Sequence, residues 1–226
     1  MLSAPGLDPG RPPLLVRDEL WLFAPNRDTQ GGSAWWLNAA GLLIDAPALT
    51  QANLAFLQER GPGRIVLTGR DGHGRCRRLQ EALGWPVLVQ EQEAYLLPGV
   101  KPLECFGESL ELAVGLRLLW TPGPSPGACV LLAEAPDPAD SLLFCGRLLS
   151  PRAPGEAAPL PSSRSFHRGR WQRSLERLQA WLPPATPGWL ASGAGLGALR
   201  GDKLIGPAAA VFQGLDSSAL ALVPPL

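Results

Sequence analysis

Residue types able to do metal, acid–base or nucleophilic chemistry are sparse in this chain. There are two histidines, His73 and His167, and four cysteines, Cys76, Cys105, Cys129 and Cys145. Zinc and iron hydrolase centres use several neutral imidazoles together with a bridging carboxylate. Two histidines far apart in sequence make such a centre improbable. No cysteines are spaced C-x-x-C, which argues against a zinc ribbon or a thioredoxin-like motif. Cys129 and Cys145 lie in apolar runs and are expected to be buried thiols that pack as small hydrophobes.

His73 as a general base lacks a nucleophile in its own motif, and Ser125 lacks the context of a nucleophile elbow. His73 therefore reads as a loop or helix-start histidine. His167 stands beside Arg164, Arg168 and Arg170, a basic stretch that is either solvated or a contact for an anionic partner. Gly193-Ala194-Gly195-Leu196-Gly197 lacks the G-x-G-x-x-G spacing of a dinucleotide loop and has no βαβ unit after it.

The elements that must hold these residues alternate strand and helix in the first half. Leu20–Ala24, Ala34–Asn38, Gly41–Asp45, Arg64–Thr68 and Val87–Val89 read as strands. A helix is expected to open at Pro47, with Leu49, Ala52 and Phe56 on one face, and to stop at Gly61-Pro62-Gly63. A second helix is expected over Arg75–Leu83, with Cys76, Leu79 and Leu83 on its stripe. This alternation indicates an α/β domain. In the second half Leu116–Thr121, Ala128–Ala133, Ser141–Cys145 and Trp189–Ser192 read as strands, and residues 151–165 as a loop without periodicity. Arg168–Leu182 is an amphipathic helix with Trp171, Leu175, Leu178 and Leu182 on its apolar face, ended by Pro183-Pro184. Residues 1–13, rich in Pro and Gly, are expected to be a flexible segment preceding a single domain over 14–226.

The chain has 226 residues, 46 % hydrophobic and 18 % charged, which is globular rather than disordered composition. Lys plus Arg equals Asp plus Glu at 20 each, so no global field exists to hold nucleic acid or anionic lipid. No stretch approaches the about 18 apolar residues of a membrane span. Nor does the N-terminus show a basic start and apolar run. A cytoplasmic protein is expected, with neither a nucleic-acid partner nor a membrane span.

Four short motifs then stand out. The strand Ile65-Val66-Leu67-Thr68 runs into Gly69-Arg70-Asp71-Gly72-His73-Gly74. Further on come Thr121-Pro122-Gly123-Pro124-Ser125-Pro126-Gly127, Phe144-Cys145-Gly146-Arg147 and Gly193-Ala194-Gly195. In this order they resemble the metallo-β-lactamase-fold hydrolases, whose motifs are Thr-His-X-His-X-Asp-His, Thr-Pro-Gly-His-Ser/Thr-Pro-Gly, Phe-X-Gly-Asp and Gly-His-Gly. Gly41-Leu42-Leu43-Ile44-Asp45 resembles the family's buried strand before its first helix. The resemblance covers roughly residues 20 to 206. It implies a four-layered αβ/βα sandwich, α/β (α+β) in class. With its degraded first motif and its abundance of Leu, Pro and Arg, the chain resembles a cyanobacterial or chloroplast branch of the family.

Every ligand position of the family differs in this chain. Gly69, Asp71, His73 and Gly74 stand in the first motif, and Pro124, Arg147 and Ala194 in the other three. What is kept is the framework of Pro and Gly, which sets backbone geometry. The resemblance thus implies the fold, while the changed ligands argue against hydrolysis, a metal or any other cofactor. Asp45, Asp71, His73, Pro124, Arg147 and Ala194 are expected to line the vestigial cleft, with Arg147 paired to Asp71 or Asp45, or bound to an anion. Three functions follow: a pseudoenzyme with a binding or assembly role and an unknown protein partner; a remodelled hydrolase of esters, thioesters or phosphodiesters using Asp71 and His73; and a binder of a small anionic ligand through Arg147.

Overall fold

A computed structural model describes residues 6–215. The expected N-terminal segment and the end of the expected domain therefore lie partly outside the described residues. A seven-stranded sheet takes its strands in chain order. It comprises β1 (Leu14–Arg17), β2 (Leu20–Leu22), β3 (Trp35–Leu37), β4 (Leu42–Ile44), β5 (Arg64–Val66), β6 (Val87–Gln90) and β7 (Leu103–Phe106). Strands β1 to β4 pair antiparallel, and β4 to β7 pair parallel. Parallel neighbours need crossovers, which α1 (Gln51–Glu59) supplies between β4 and β5, α2 (Cys76–Leu83) between β5 and β6, and the connection through a 3-10 helix at Glu91–Leu96 between β6 and β7.

The second sheet has five strands: β8 (Ser109–Ala113), β9 (Leu116–Trp120), β10 (Cys129–Ala133), β11 (Leu142–Gly146) and β14 (Trp189–Ser192), in the order β14-β11-β10-β9-β8. Between β11 and β14 come a small hairpin, β12 (Ser150–Ala153) with β13 (Glu156–Ala158), and helix α3 (Arg168–Trp181). Helix α4 (Ala208–Gly214) closes the described chain.

The layers follow from period-two alternation along strands. Trp35, Leu42, Ile44, Val66 and Leu88 point inward and meet Cys129, Leu131, Leu142 and Phe144 of the second sheet. Their neighbours Trp36, Leu43, Ile65, Val87 and Val89 point outward under α1 and α2. Val130, Leu132, Leu143 and Cys145 face α3 and α4. Both sheets are thus covered on both faces, which gives the expected four-layered sandwich of helix, sheet, sheet and helix. Each large apolar side chain buried in these layers contributes about 1.5–3 kcal/mol relative to exposure.

Three local expectations are corrected. Helix α1 starts at Gln51, not at Pro47, because the Thr50 side chain caps it by accepting from the Asn53 N–H. Its buried face is Asn53, Leu54 and Leu57, with Leu49 and Phe56 only partly covered. Residues 151–165 are not all loop: they contain most of the β12–β13 hairpin, whose turn is made by Gly155 at φ +74°. At the other end, the Asp8 and Pro9 carbonyls accept from the Gln51 and Ala52 N–H groups, at 2.9 and 3.0 Å, and so tie Asp8 and Pro9 to the start of α1.

Candidate functional site

The four motifs all leave the C-terminal ends of strands, or link two strands there, and so converge on one edge of the sandwich. The turn after β5 carries Gly69 to Gly74, and the β9–β10 loop carries Pro124 and Ser125. Arg147 follows β11, and Gly193 follows β14.

Asp45, at the end of β4, forms the floor of the site. It is 3 % exposed, and its backbone is left-handed at φ 60°. That region costs most side chains of this kind on the order of 1–3 kcal/mol, and Asp tolerates it better than most. Its carboxylate accepts from the Thr68 N–H at 2.8 Å and from the Thr68 hydroxyl at 2.7 Å, tying β4 to the end of β5. Glycines make room for it. A Cβ on Gly72 would lie 2.1 Å from Asp45 Oδ1, and one on Gly193 would lie 3.0 Å from Oδ2. Burial pushes the Asp45 carboxyl up to about 6, although the Thr68 hydrogen bonds and the charges of His73 and Arg147 oppose the rise.

The rim is differently made. Arg147 Nη2 donates to the Thr29 carbonyl at 2.7 Å, and Arg147 Nε lies 3.7 Å from Asp71 Oδ2. The other Asp71 oxygen accepts from Gln30 Nε2 at 3.1 Å and lies 3.5 Å from Arg164 Nη2. Asp71 therefore sits between two guanidiniums in loose, partly exposed ion pairs, each worth less than about 1 kcal/mol. Of the two expected partners for Arg147, Asp71 is the closer contact, and Asp45 feels its charge from below.

Pro124 and Arg147 border the small gap over Asp45, whose volume is about 10 Å³. That is the least that holds one water. The same residues, with Asp71 and Ala194, also border a larger cleft of about 420 Å³. Ala194 is fixed there by the Ser33 hydroxyl, which donates to its carbonyl at 2.9 Å.

His73 points elsewhere. It precedes α2, as expected, but it is buried, with Nε2 3.3 Å from Oε2 of a fully buried Glu93. Both atoms lack a well-aligned hydrogen bond, so the contact is mainly electrostatic. The other Glu93 oxygen accepts from the Gly127 N–H at 2.9 Å. Burial alone would raise Glu93. Interactions with His73, Ser125 and the Gly127 N–H outweigh it and hold the carboxyl below its ordinary value. This pair braces the first two motif loops from behind.

Of the six expected residues, Asp45, Asp71, Pro124 and Arg147 line the gap, Ala194 lines the cleft with three of them, and His73 lines neither. Sequence reasoning missed Thr29, Gln30 and Glu93, and it placed Arg164 in the basic stretch beside His167 without bringing it to the cleft. Glu93 lies in Glu91-Gln92-Glu93, which resembles an exposed acidic turn and carries no signal of burial.

A two-metal centre, which the resemblance would imply, does not fit these side chains. Gly69, Gly74, Pro124 and Ala194 offer no ligating atom, and Arg147 places a cation against Asp71. Among the described residues no three His, Cys, Asp or Glu side chains gather closely enough to hold a metal ion. What the site can do is hold charge, with two guanidiniums and several hydroxyls around one carboxylate.

No family model matches the sequence, and no curated protein is detectably similar to it. Solved structures do match. The fold superimposes on that of VMB-1 with a TM-score of 0.67 at 15 % identity, covering 95 % of this chain and 97 % of the other. For the DIM-1 metallo-β-lactamase exposed to ceftazidime the TM-score is 0.67 at 14 % identity, over 95 % of this chain and 97 % of that one. A metallo-β-lactamase from Staphylococcus aureus subsp. aureus COL gives 0.63 at 16 % identity, over 89 % of this chain and 64 % of that one. Over most of its length, then, this chain has the metallo-β-lactamase fold.

Proposed function

We propose that this protein is a metallo-β-lactamase-fold protein without a dinuclear metal centre, acting in binding or assembly rather than hydrolysis. One observation supports the reading: the guanidinium of Arg147 is bound to the Thr29 carbonyl and faces Asp71, and the motif resemblance aligns Arg147 with the family's bridging carboxylate. A fixed cation there repels a divalent ion at close range. Gly69, Gly74, Pro124 and Ala194 remove ligands, whereas Arg147 opposes a metal directly.

A cytoplasmic location belongs to the same proposal. Cys76, Cys105, Cys129 and Cys145 are all free thiols, which suits a reducing compartment. No helix among the described residues is long and apolar enough to cross a membrane.

The test is metal analysis of the purified protein after incubation with zinc, iron or manganese, combined with ester, thioester and phosphodiester hydrolysis assays. The expected result is substoichiometric metal and no turnover above the blank. Stoichiometric metal with turnover that disappears in Asp71→Ala would establish a remodelled hydrolase instead.

A further inference from the structure

We infer that the cleft above Arg147 binds a small molecule with one anionic head, a phosphate or a carboxylate, and an apolar body. The inference rests on the preceding reading, because the head takes space that a metal and its ligands would need. The cleft, at about 420 Å³, falls within the range of small-molecule sites. Its lining is mixed. Gln30, Asp71, Arg147, Arg164 and the serines of residues 162–165 supply polar groups, and Leu160, Pro124 and Ala194 supply apolar ones.

The polar lining is arranged in advance. Arg147 is held by the Thr29 carbonyl at 2.7 Å, so little side-chain freedom remains to be lost on binding. Arg70 hydrogen-bonds the Arg164 carbonyl and fastens the serine turn over the cleft. Within that turn the Ser165 hydroxyl accepts from the Ser162 N–H at 2.9 Å, and the Ser162 hydroxyl accepts from the Arg164 N–H at 3.2 Å. A hydroxyl that accepts still has its own proton to donate.

Charge sets the stoichiometry. Asp71 lies 3.7 Å from Arg147 Nε and 3.5 Å from Arg164 Nη2. These separations exceed good hydrogen-bond lengths and leave guanidinium N–H groups available. The guanidiniums of Arg70, Arg147 and Arg164 against the carboxylates of Asp71 and Asp45 leave one positive charge in excess, suited to one anionic head. Guanidinium forks match both phosphate and carboxylate. Asp71 is then an internal competitor for the same donors.

Titration calorimetry on the full-length protein tests this with inorganic phosphate, acetate, hexyl phosphate and hexanoate, in buffer containing a chelator. Saturable binding of one ligand per chain is expected, tighter for the hexyl compounds. The preferred pair identifies the head as phosphate or carboxylate. Loss of a charge-assisted hydrogen bond in Arg147→Gln or Arg164→Gln should weaken binding about tenfold or more. Asp71→Asn should tighten it by removing the competitor. If Arg147→Gln fails to fold by circular dichroism, the other two variants decide, since both alter partly exposed side chains. Absence of saturable binding by all four compounds overturns the inference. So does binding that Arg164→Gln and Asp71→Asn both leave unchanged, or binding that requires added zinc. The hydrolysis assays are separate. No anion binding together with no turnover removes only this inference, whereas turnover together with metal-free, Arg164-dependent anion binding removes only the non-hydrolytic reading.

Discussion

The floor and the rim of the site interleave along the chain and obey different constraints. The floor, Asp45 with Thr68, is buried and hydrogen-bonded, and Gly72 and Gly193 approach it so closely that even a methyl group collides. On the rim, Asp71, Arg147 and Arg164 meet in loose, partly exposed ion pairs at the cleft, beside the buried Pro124 and Ala194. The floor is set by backbone geometry and packing, which belong to the fold. The rim is set by chemistry, which the fold leaves free. A chain can therefore keep the whole sandwich while its rim serves a different ligand.

The sharpest way to break this contrast is a pair of glycine substitutions. In Gly72→Ala the new Cβ would meet Asp45 Oδ1 at 2.1 Å. Overpacking of that kind should cost about 3 kcal/mol or more in urea unfolding. In Gly195→Ala, on the rim, the nearest heavy atom is the Gly31 carbonyl oxygen at 3.2 Å. Its cost should stay below about 1 kcal/mol, in line with surface substitutions. Equal costs would erase the distinction.

The second test uses pH. The Asp45 carboxyl is raised from 3.8 to about 6, so the folded state holds its proton where the unfolded state has released it. Its contribution is therefore greatest below pH about 4 and is lost as pH rises through about 6, a change on the order of 3 kcal/mol. Asp45→Asn keeps the shape and should flatten that slope in denaturation curves taken from pH 4 to 7. A slope that persists in the variant assigns it to another group.

Glu93 has the opposite sign. Its carboxyl is lowered in the folded state, so its contribution is present above its ordinary value of 4.5 and is lost as pH falls through the folded value. Glu93→Gln should cost about 1–3 kcal/mol at neutral pH and weaken the acid limb of unfolding. An unchanged acid limb would show that the Glu93–His73 brace does not hold the motif loops.

The last test belongs to the rim. The double variant Pro124→His with Ala194→His introduces two imidazoles yet leaves Arg147 in place. Both positions are buried, so the larger side chains should cost about 1–3 kcal/mol each, and the variant should recruit no stoichiometric zinc in a dialysis experiment. Tight zinc binding would show that Arg147 does not govern the rim.

Much of the sandwich was legible in the sequence because strands buried on both faces read as short continuous apolar runs. Trp35-Trp36 and the runs ending at Thr68, Ala133 and Cys145 fell on strands for that reason. Strands β1 and β8 did not, because they lie at sheet edges and leave many side chains exposed or half-covered. The β12–β13 hairpin hid behind Pro151 and Gly155. At the site, Pro and Gly positions revealed where the loops turn, and Asp45 revealed the floor. The contacts that make the rim were illegible, since Arg147 to Thr29 spans 118 residues and Arg70 to Arg164 spans 94. No local pattern encodes a pairing at that separation.

The Arg147–Thr29 hydrogen bond joins the end of a strand in one sheet to a turn beside the other. It acts as a latch across the seam of the sandwich. Replacing Arg147 by Asp would open the latch and crowd a third carboxylate against Asp71 and Asp45 before any cation arrived to neutralise them. An isolated Arg147→Asp change towards a metal centre is thus uphill, and the arginine works as a ratchet that makes gaining one depend on several simultaneous changes.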